Sequence, residues 1–355
     1  MKFDITPLLR PHIVNLLPYT SARDEYTGKE GIFLDANENP YGSVTDEDYN
    51  RYPDPYQLEL KAEIAEIKNV KSSQIFLGNG SDEAIDLLFR AFCNPGKDNV
   101  ILLPPTYGMY EVSAGINDVE TRKIPLTADF QLQTDKILGA TDEHTKIIFV
   151  CSPNNPSGNK VNREDILRLL QEFKGLVVVD EAYIDFSDEP SFTNYINDYG
   201  NLLVMQTFSK AWGLASLRLG MAFASKQMIK VLNRIKPPYN ISGLTQQTVL
   251  AAVRNVAKVN AMIADMLQER EYLRKEMTAL DFVEKIYPSH ANFLLVKIPN
   301  ASHVYDDLIE EKIIVRNRSK VQLCEECLRI SVGTRPENEA FLQALKKIYT
   351  ESFNL

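Results

Sequence analysis

Two apolar runs that end abruptly in polar residues constrain this chain most: Ile147-Ile148-Phe149-Val150 and Leu176-Val177-Val178-Val179-Asp180. Apolar on both faces and rich in β-branched residues, they fit strands buried in a parallel or mixed sheet covered by helices. The full set of predicted strands in this half is 74–77, 100–103, 146–151, 176–180, 202–207 and 219–224. Between them the apolar period lengthens. Ile85, Leu88, Phe89 and Phe92 fall at i, i+3, i+4 and i+7, and Ile166, Leu169 and Leu170 repeat the helical signature. The alternation predicts an α/β sandwich with right-handed crossovers over residues 46–240.

After Pro237-Pro238 the pattern changes. Residues 245–280 read as one long helical stretch rich in Ala, Met, Leu, Glu and Arg. Strand-like segments at 292–297, 312–316 and 328–332 follow, with a helix at 304–311 between the first two. This predicts a smaller α+β domain, formed by residues 241–355 together with an N-terminal arm, 1–45. A length of 355 residues suits one large domain plus a small one.

Lys and Arg total 39 against 48 acids, a net charge of −9. That argues against a nucleic-acid binder, which needs a basic surface to displace counterions. No run approaches the ~20 apolar residues of a membrane span. Residues 1–7 lack the apolar core of a secretory signal, and four cysteines are too sparse for a disulfide framework, so a cytoplasmic protein with reduced thiols is expected. Cys324 and Cys327 form a Cys-x-x-Cys pair, but no second pair follows and the four histidines are scattered, so no metal is expected.

Ligands of open α/β sheets sit outside the carboxyl ends of the strands, and four strand ends here carry unusual polar residues. Gly78-Asn79-Gly80-Ser81-Asp82 precedes an amphipathic helix, where free N–H groups attract anions, although a tight turn capped by Ser81 explains it equally well. Ser152-Pro153-Asn154-Asn155-Pro156-Ser157-Gly158 is a rigid turn with an amide at its mouth. Asp180, ending a valine run, needs a partner: a salt bridge or a cationic ring nitrogen would serve. Lys210 lies just past a strand, within Thr207-Phe208-Ser209-Lys210-Ala211-Trp212-Gly213, with Arg218 beyond it.

In order and spacing, Ser152 to Gly158, Asp180-Glu181-Ala182-Tyr183, and Ser209-Lys210 with Arg218 resemble the class I/II aminotransferases across essentially the whole chain. Leu34 to Gly42, Arg51-Tyr52-Pro53-Asp54, Pro104 to Tyr110 and Leu328 to Arg335 are most similar to the histidinol-phosphate aminotransferase family within them. The resemblance implies fold type I and pyridoxal 5′-phosphate held covalently by Lys210. It implies that Asp180 pairs with the pyridine nitrogen, Tyr183 and Asn155 hydrogen-bond the ring oxygen, and Tyr107 stacks on the ring. Gly80, Ser81, Asp82, Thr207, Ser209 and Arg218 would form the phosphate cup, joined by Tyr52 from the second subunit of a homodimer.

For the substrate, the resemblance implies that Arg329 and Arg316 take the phosphate of an amino phosphate, with Tyr19 and Asn37 closing over it. The implied reaction converts L-histidinol phosphate and 2-oxoglutarate to imidazole-acetol phosphate and L-glutamate. Arg316 also reads as a solvated strand end, as does Arg318. The alternatives are a threonine-phosphate decarboxylase or an aromatic or aspartate aminotransferase of the same fold. A cofactor-binding transcriptional regulator lacks room for a DNA-binding domain. A nicotinamide dehydrogenase lacks the G-x-G-x-x-G turn.

Overall fold

The computed structural model describes residues 3–20 and 30–352. Seven strands build the larger sheet: β1 (Ile75–Asn79), β2 (Asn99–Leu102), β3 (Glu120–Lys123), β4 (Thr145–Cys151), β5 (Leu176–Asp180), β6 (Leu202–Thr207) and β7 (Leu219–Ala224). Their order is β1-β7-β6-β5-β4-β2-β3. All pairs are parallel except those of β7, which runs against both β1 and β6. The central strands are the apolar runs seen in the sequence. Successive side chains go to opposite faces, so Phe149 and Val178 enter one core while Ile148, Val177 and Val179 enter the other.

Each face is covered by helices whose apolar stripe matches it. Helices α1 (Pro11–Val14) and α2 (Leu58–Lys68) precede β1, and α3 (Gly80–Phe92) follows it. Ile85, Leu88, Phe89 and Phe92 of α3 are fully buried, as the spacing predicts. Then come α4 (Met109–Ile116), α5 (Thr134–Gly139), α6 (Arg163–Glu172) and α7 (Lys226–Ile235). Ile166, Leu169 and Leu170 of α6 are buried too.

The stretch at 245–280 is two helices, α8 (Gly243–Val253) and α9 (Val256–Thr278). The chain breaks at Arg254-Asn255, where Asn255 leaves helical geometry with φ −103° and ψ 42°. No glycine or proline marks the break, so composition concealed it. A second, antiparallel sheet in the order β10-β11-β9-β8 comprises β8 (Lys285–Ile286), β9 (Phe293–Lys297), β10 (Arg316–Asn317) and β11 (Cys327–Ser331). It packs with α9, α10 (Ala301–Glu310) and α11 (Arg335–Ser352) around a separate core that includes Leu294, Val296, Val304, Leu328 and Leu345. The strand expected at 312–316 begins only at Arg316, because Lys312 takes φ +60° and Ile313 N–H bonds back to the Leu308 carbonyl. No described helix is long and apolar enough to cross a membrane.

Candidate active site

The carboxyl ends of β4, β5 and β6 open on one cleft. It is lined by Gly80, Ser81, Asp82, Tyr107, Asn155, Asp180, Tyr183, Thr207, Ser209, Lys210 and Arg218, together with Cys151 and Ala182. Eleven of these thirteen were singled out from the sequence.

At one end the start of α3 lies against β7. Gly220 makes this possible: a Cβ there would come within 2.2 Å of the Ser81 backbone nitrogen. Gly80 takes φ +72°, and its N–H donates to the Arg218 carbonyl at 2.6 Å. Arg218 is itself left-handed at φ +52°, a conformation that costs a non-glycine residue on the order of 1 kcal/mol. This turn carries its guanidinium back over the helix start, where a Cβ on Gly80 would lie 2.7 Å from an Arg218 terminal nitrogen. Asp82 restrains two neighbours, accepting from Tyr107 Oη at 3.1 Å and pairing with Arg218 at 3.6 Å. Ser209 Oγ is buried there with no hydrogen-bond partner, while its N–H donates to Thr207 Oγ1 at 3.1 Å. Helix N–H groups, an arginine and an unpartnered hydroxyl form an anion cup.

Asp180 occupies the other end. It follows Val178 by two residues and so points to the face where Tyr110 stacks on Phe149, ring centroids 4.7 Å apart. Tyr110 Oη donates to Asp180 Oδ2 at 2.5 Å, and Ala182 N–H donates to Oδ1 at 3.1 Å. Burial pushes the Asp180 carboxyl up to about 6, partly opposed by those two donors. A buried carboxylate with no cation bonded to it among the described residues suits a protonated ring nitrogen.

Between the two ends stands Lys210. Its side chain is open to the cleft, with Nζ 5.7 Å from the centre of the Tyr183 ring. Loss of water along the cleft walls lowers its pKa, and nearby Arg329 lowers it further. Burial raises the Tyr183 phenol above its ordinary value, so it stays protonated as a donor. Asn155 is aimed by a knitted loop: the Asn154 amide donates to Ser157 Oγ at 2.7 Å, and Ser157 Oγ donates to Asn159 at 2.5 Å. These groups fit pyridoxal phosphate, with the phosphate at the cup and the ring nitrogen at Asp180.

Arg329 reaches the rim from the smaller sheet. It donates to Asn155 Oδ1 at 2.6 Å, and its guanidinium lies 5.1 Å from the centre of the Phe293 ring. Arg316 does not end a strand and Arg329 does not begin one, contrary to the reading of the sequence. They are cross-strand partners in register, Arg316 opening β10 and Arg329 central in β11.

Three expected residues lie away from the cleft within one chain. Tyr19 is 73% exposed, beside Arg10, Tyr56 and Arg234. Asn37 lies in a second groove with Tyr52, which stacks on Tyr239 at 4.5 Å between ring centroids. The sequence reading assigned no role to Tyr110. Its signal was its place three residues after Tyr107, in the first turn of α4.

The family profile described as Aminotransferase class I and II matches residues 29–345. A histidinol-phosphate aminotransferase of Cytophaga hutchinsonii is 55% identical over 346 residues, covering 98% of this chain and 99% of that protein. One of Flavobacterium johnsoniae is 54% identical over 347 residues, covering 97% and 98%. Among solved structures, the histidinol-phosphate aminotransferase of Sinorhizobium meliloti, crystallised with pyridoxal 5′-phosphate, superposes with a TM-score of 0.78 at 20% identity, covering 96% of this chain and 97% of that one. That likeness supports the fold, type I of the pyridoxal-phosphate enzymes. Cleft, sheet order and matched length agree, and the chain belongs to the class I and II aminotransferase family.

Proposed function

We propose that this enzyme is a histidinol-phosphate aminotransferase of histidine biosynthesis, moving the amino group of L-histidinol phosphate to 2-oxoglutarate with pyridoxal phosphate as cofactor. The products are imidazole-acetol phosphate and L-glutamate. The observation that carries the reading is the pairing of Lys210 in the cleft with Arg329 and Arg316 at its rim, the two arginines lacking any carboxylate partner among the described residues. High identity to relatives of that name over nearly their whole length supports the substrate.

When bound, pyridoxal phosphate supplies a ring that withdraws the electrons left as the substrate Cα–H bond breaks. Lys210 Nζ anchors it and then moves the Cα proton. A free lysine, with a pKa of about 10.4, is less than about 0.1% neutral at pH 7. The desolvation and positive neighbours of Lys210 raise that fraction. Asp180, held by Tyr110 and Ala182, keeps the ring nitrogen protonated. Asn155 and Tyr183 hold the ring oxygen, and Tyr107 covers a ring face. Gly80, Ser81, Asp82, Thr207, Ser209 and Arg218 hold or organise the phosphate end.

Residues 46–240 form the cofactor-binding domain in this reading, and 1–45 with 241–355 form the arm and small domain. The working unit is a cytoplasmic homodimer in which Tyr52 and the groove beside it face the partner's cleft. Tyr19 and Asn37 close over the substrate. The exposed Ile32, Leu34, Tyr41 and Leu244 support such burial against a second copy.

Glutamate formation from 2-oxoglutarate tests the substrate, with L-histidinol phosphate, L-aspartate and L-phenylalanine as competing donors. The reading predicts the highest kcat/KM for L-histidinol phosphate. Faster use of another donor, or carbon dioxide release from L-threonine O-3-phosphate without glutamate formation, would contradict it.

A further inference from the structure

The hairpin of β10 and β11 gathers more positive charge than the two rim arginines supply. Arg316 faces Arg329 across the ladder and Asn317 faces Leu328. Arg318 N–H donates to the Cys327 carbonyl at 2.9 Å, continuing the register. Side chains two apart on a strand leave the same face. Arg316 therefore lies opposite Arg329, and Arg318 lies on its diagonal. Asn317 confirms the alternation by turning away, its amide donating to Ser302 Oγ of α10 at 3.1 Å.

No acid compensates this face. Among the described residues, no carboxylate lies within ion-pair distance of Arg316, Arg318 or Arg329. The Nε atoms of Arg318 and Arg329 are buried and make no hydrogen bond. Burial, then Arg329 and Arg316, lower the Arg318 pKa, and Tyr183 of the cleft wall is among the groups near it. Like charges facing across a sheet destabilise it, and a buried donor without an acceptor costs more. A multivalent anion reverses both penalties.

We propose that Arg318 is a specificity-determining residue that joins Arg316 and Arg329 in binding the dianionic phosphate of the amino-phosphate substrate. The inference rests on the function proposed above and adds a third guanidinium to it. A carboxylate, with two oxygens and one charge, is satisfied by one bidentate guanidinium; a phosphate monoester offers three terminal oxygens and nearly two charges. The third arginine thus biases the rim towards phosphate over carboxylate.

The test compares wild-type, Arg318→Gln and Arg318→Lys holoenzymes in the half-reactions with L-histidinol phosphate, L-histidinol and L-glutamate. Arg318→Gln is expected to lower kcat/KM for L-histidinol phosphate roughly tenfold or more relative to L-glutamate, mainly through KM, with Arg318→Lys recovering part of the loss. Inorganic phosphate should raise the melting temperature of the wild type more than that of Arg318→Gln. Equal losses on both donors, or an unchanged preference for L-histidinol phosphate, would overturn the role of Arg318. A wild type that uses L-histidinol as well as L-histidinol phosphate would instead overturn the functional reading beneath it.

Discussion

The two ends of the active region are built on opposite principles. In the cleft at the ends of β4, β5 and β6, most polar groups already have a protein partner: Asp180 has Tyr110 and Ala182, Arg218 has Asp82, and Thr207 has Ser209. On the β10–β11 hairpin, three guanidinium groups share a face with no acid among the described residues. The first region holds its polar groups in place before any ligand binds, as the proposed cofactor site requires. The second is left electrostatically unsatisfied. On the proposed function, an anionic substrate would satisfy it and so turn binding energy into selectivity.

The largest effect is expected at Lys210. Lys210→Ala would remove both the proposed anchor and the proposed proton carrier, and transamination should fall by at least ~10³-fold, the upper range for a lost general base. Pyridoxal phosphate should still bind through the cup, as equilibrium dialysis would show. Residual turnover near the wild-type rate would remove Lys210 from the chemistry.

Next comes the contrast between the two ends. Arg316→Ala should raise KM for L-histidinol phosphate by roughly tenfold to a hundredfold, the loss of a charged hydrogen bond. Its dissociation constant for pyridoxal phosphate should stay near the wild-type value. Ser209→Ala should do the reverse, weakening cofactor binding and leaving the KM less affected. Identical effects of the two substitutions would erase the division of labour.

Asp180 supplies a smaller effect with a definite sign. Its carboxyl is raised to about 6 from an ordinary value near 4, so the folded, cofactor-free chain binds that proton more tightly than the unfolded chain. The penalty of burying the anion is therefore full above pH 6 and fades as pH falls towards 4. Asp180→Asn should stabilise the cofactor-free protein at pH 8 by up to on the order of 3 kcal/mol, with little gain at pH 4. The same change should slow transamination severely. Thermal melts at both pH values check this. A loss of stability at pH 8 would mean that the carboxylate is better satisfied than its burial implies.

The smallest change is Tyr110→Phe, which removes one donor to Asp180 and retains the stacking on Phe149. About 1 kcal/mol of the carboxylate's stabilisation is lost. Its pKa then rises, and in the pH profile of kcat/KM any limb that reports Asp180 should move upward. An unshifted profile would make Tyr110 a packing residue only.

Legibility in the sequence followed burial. The central strands were readable because Ile147 to Val150 and Leu176 to Val179 are apolar on both faces, and residues at their ends stood out by contrast. β3 (Glu120-Thr121-Arg122-Lys123) was missed because it is an edge strand whose side chains are partly or fully exposed, giving no apolar signal. The Asp180 site was legible as a carboxylate in need of a partner, but Tyr110 was not, since the bond depends on α4 packing over Phe149. Arg318 read as a solvated residue because its neighbourhood is set by strand register, which places it diagonal to Arg329 eleven positions later.

The most direct measurement is the absorbance spectrum of the pyridoxal-phosphate-loaded enzyme as L-histidinol phosphate is added with no 2-oxo acid present. Stoichiometric conversion of the pyridoxal form to the pyridoxamine form, reversed by 2-oxoglutarate, is the expected result. A spectrum that stays in the pyridoxal form, while another amino donor converts it, would contradict the assignment of L-histidinol phosphate as the substrate.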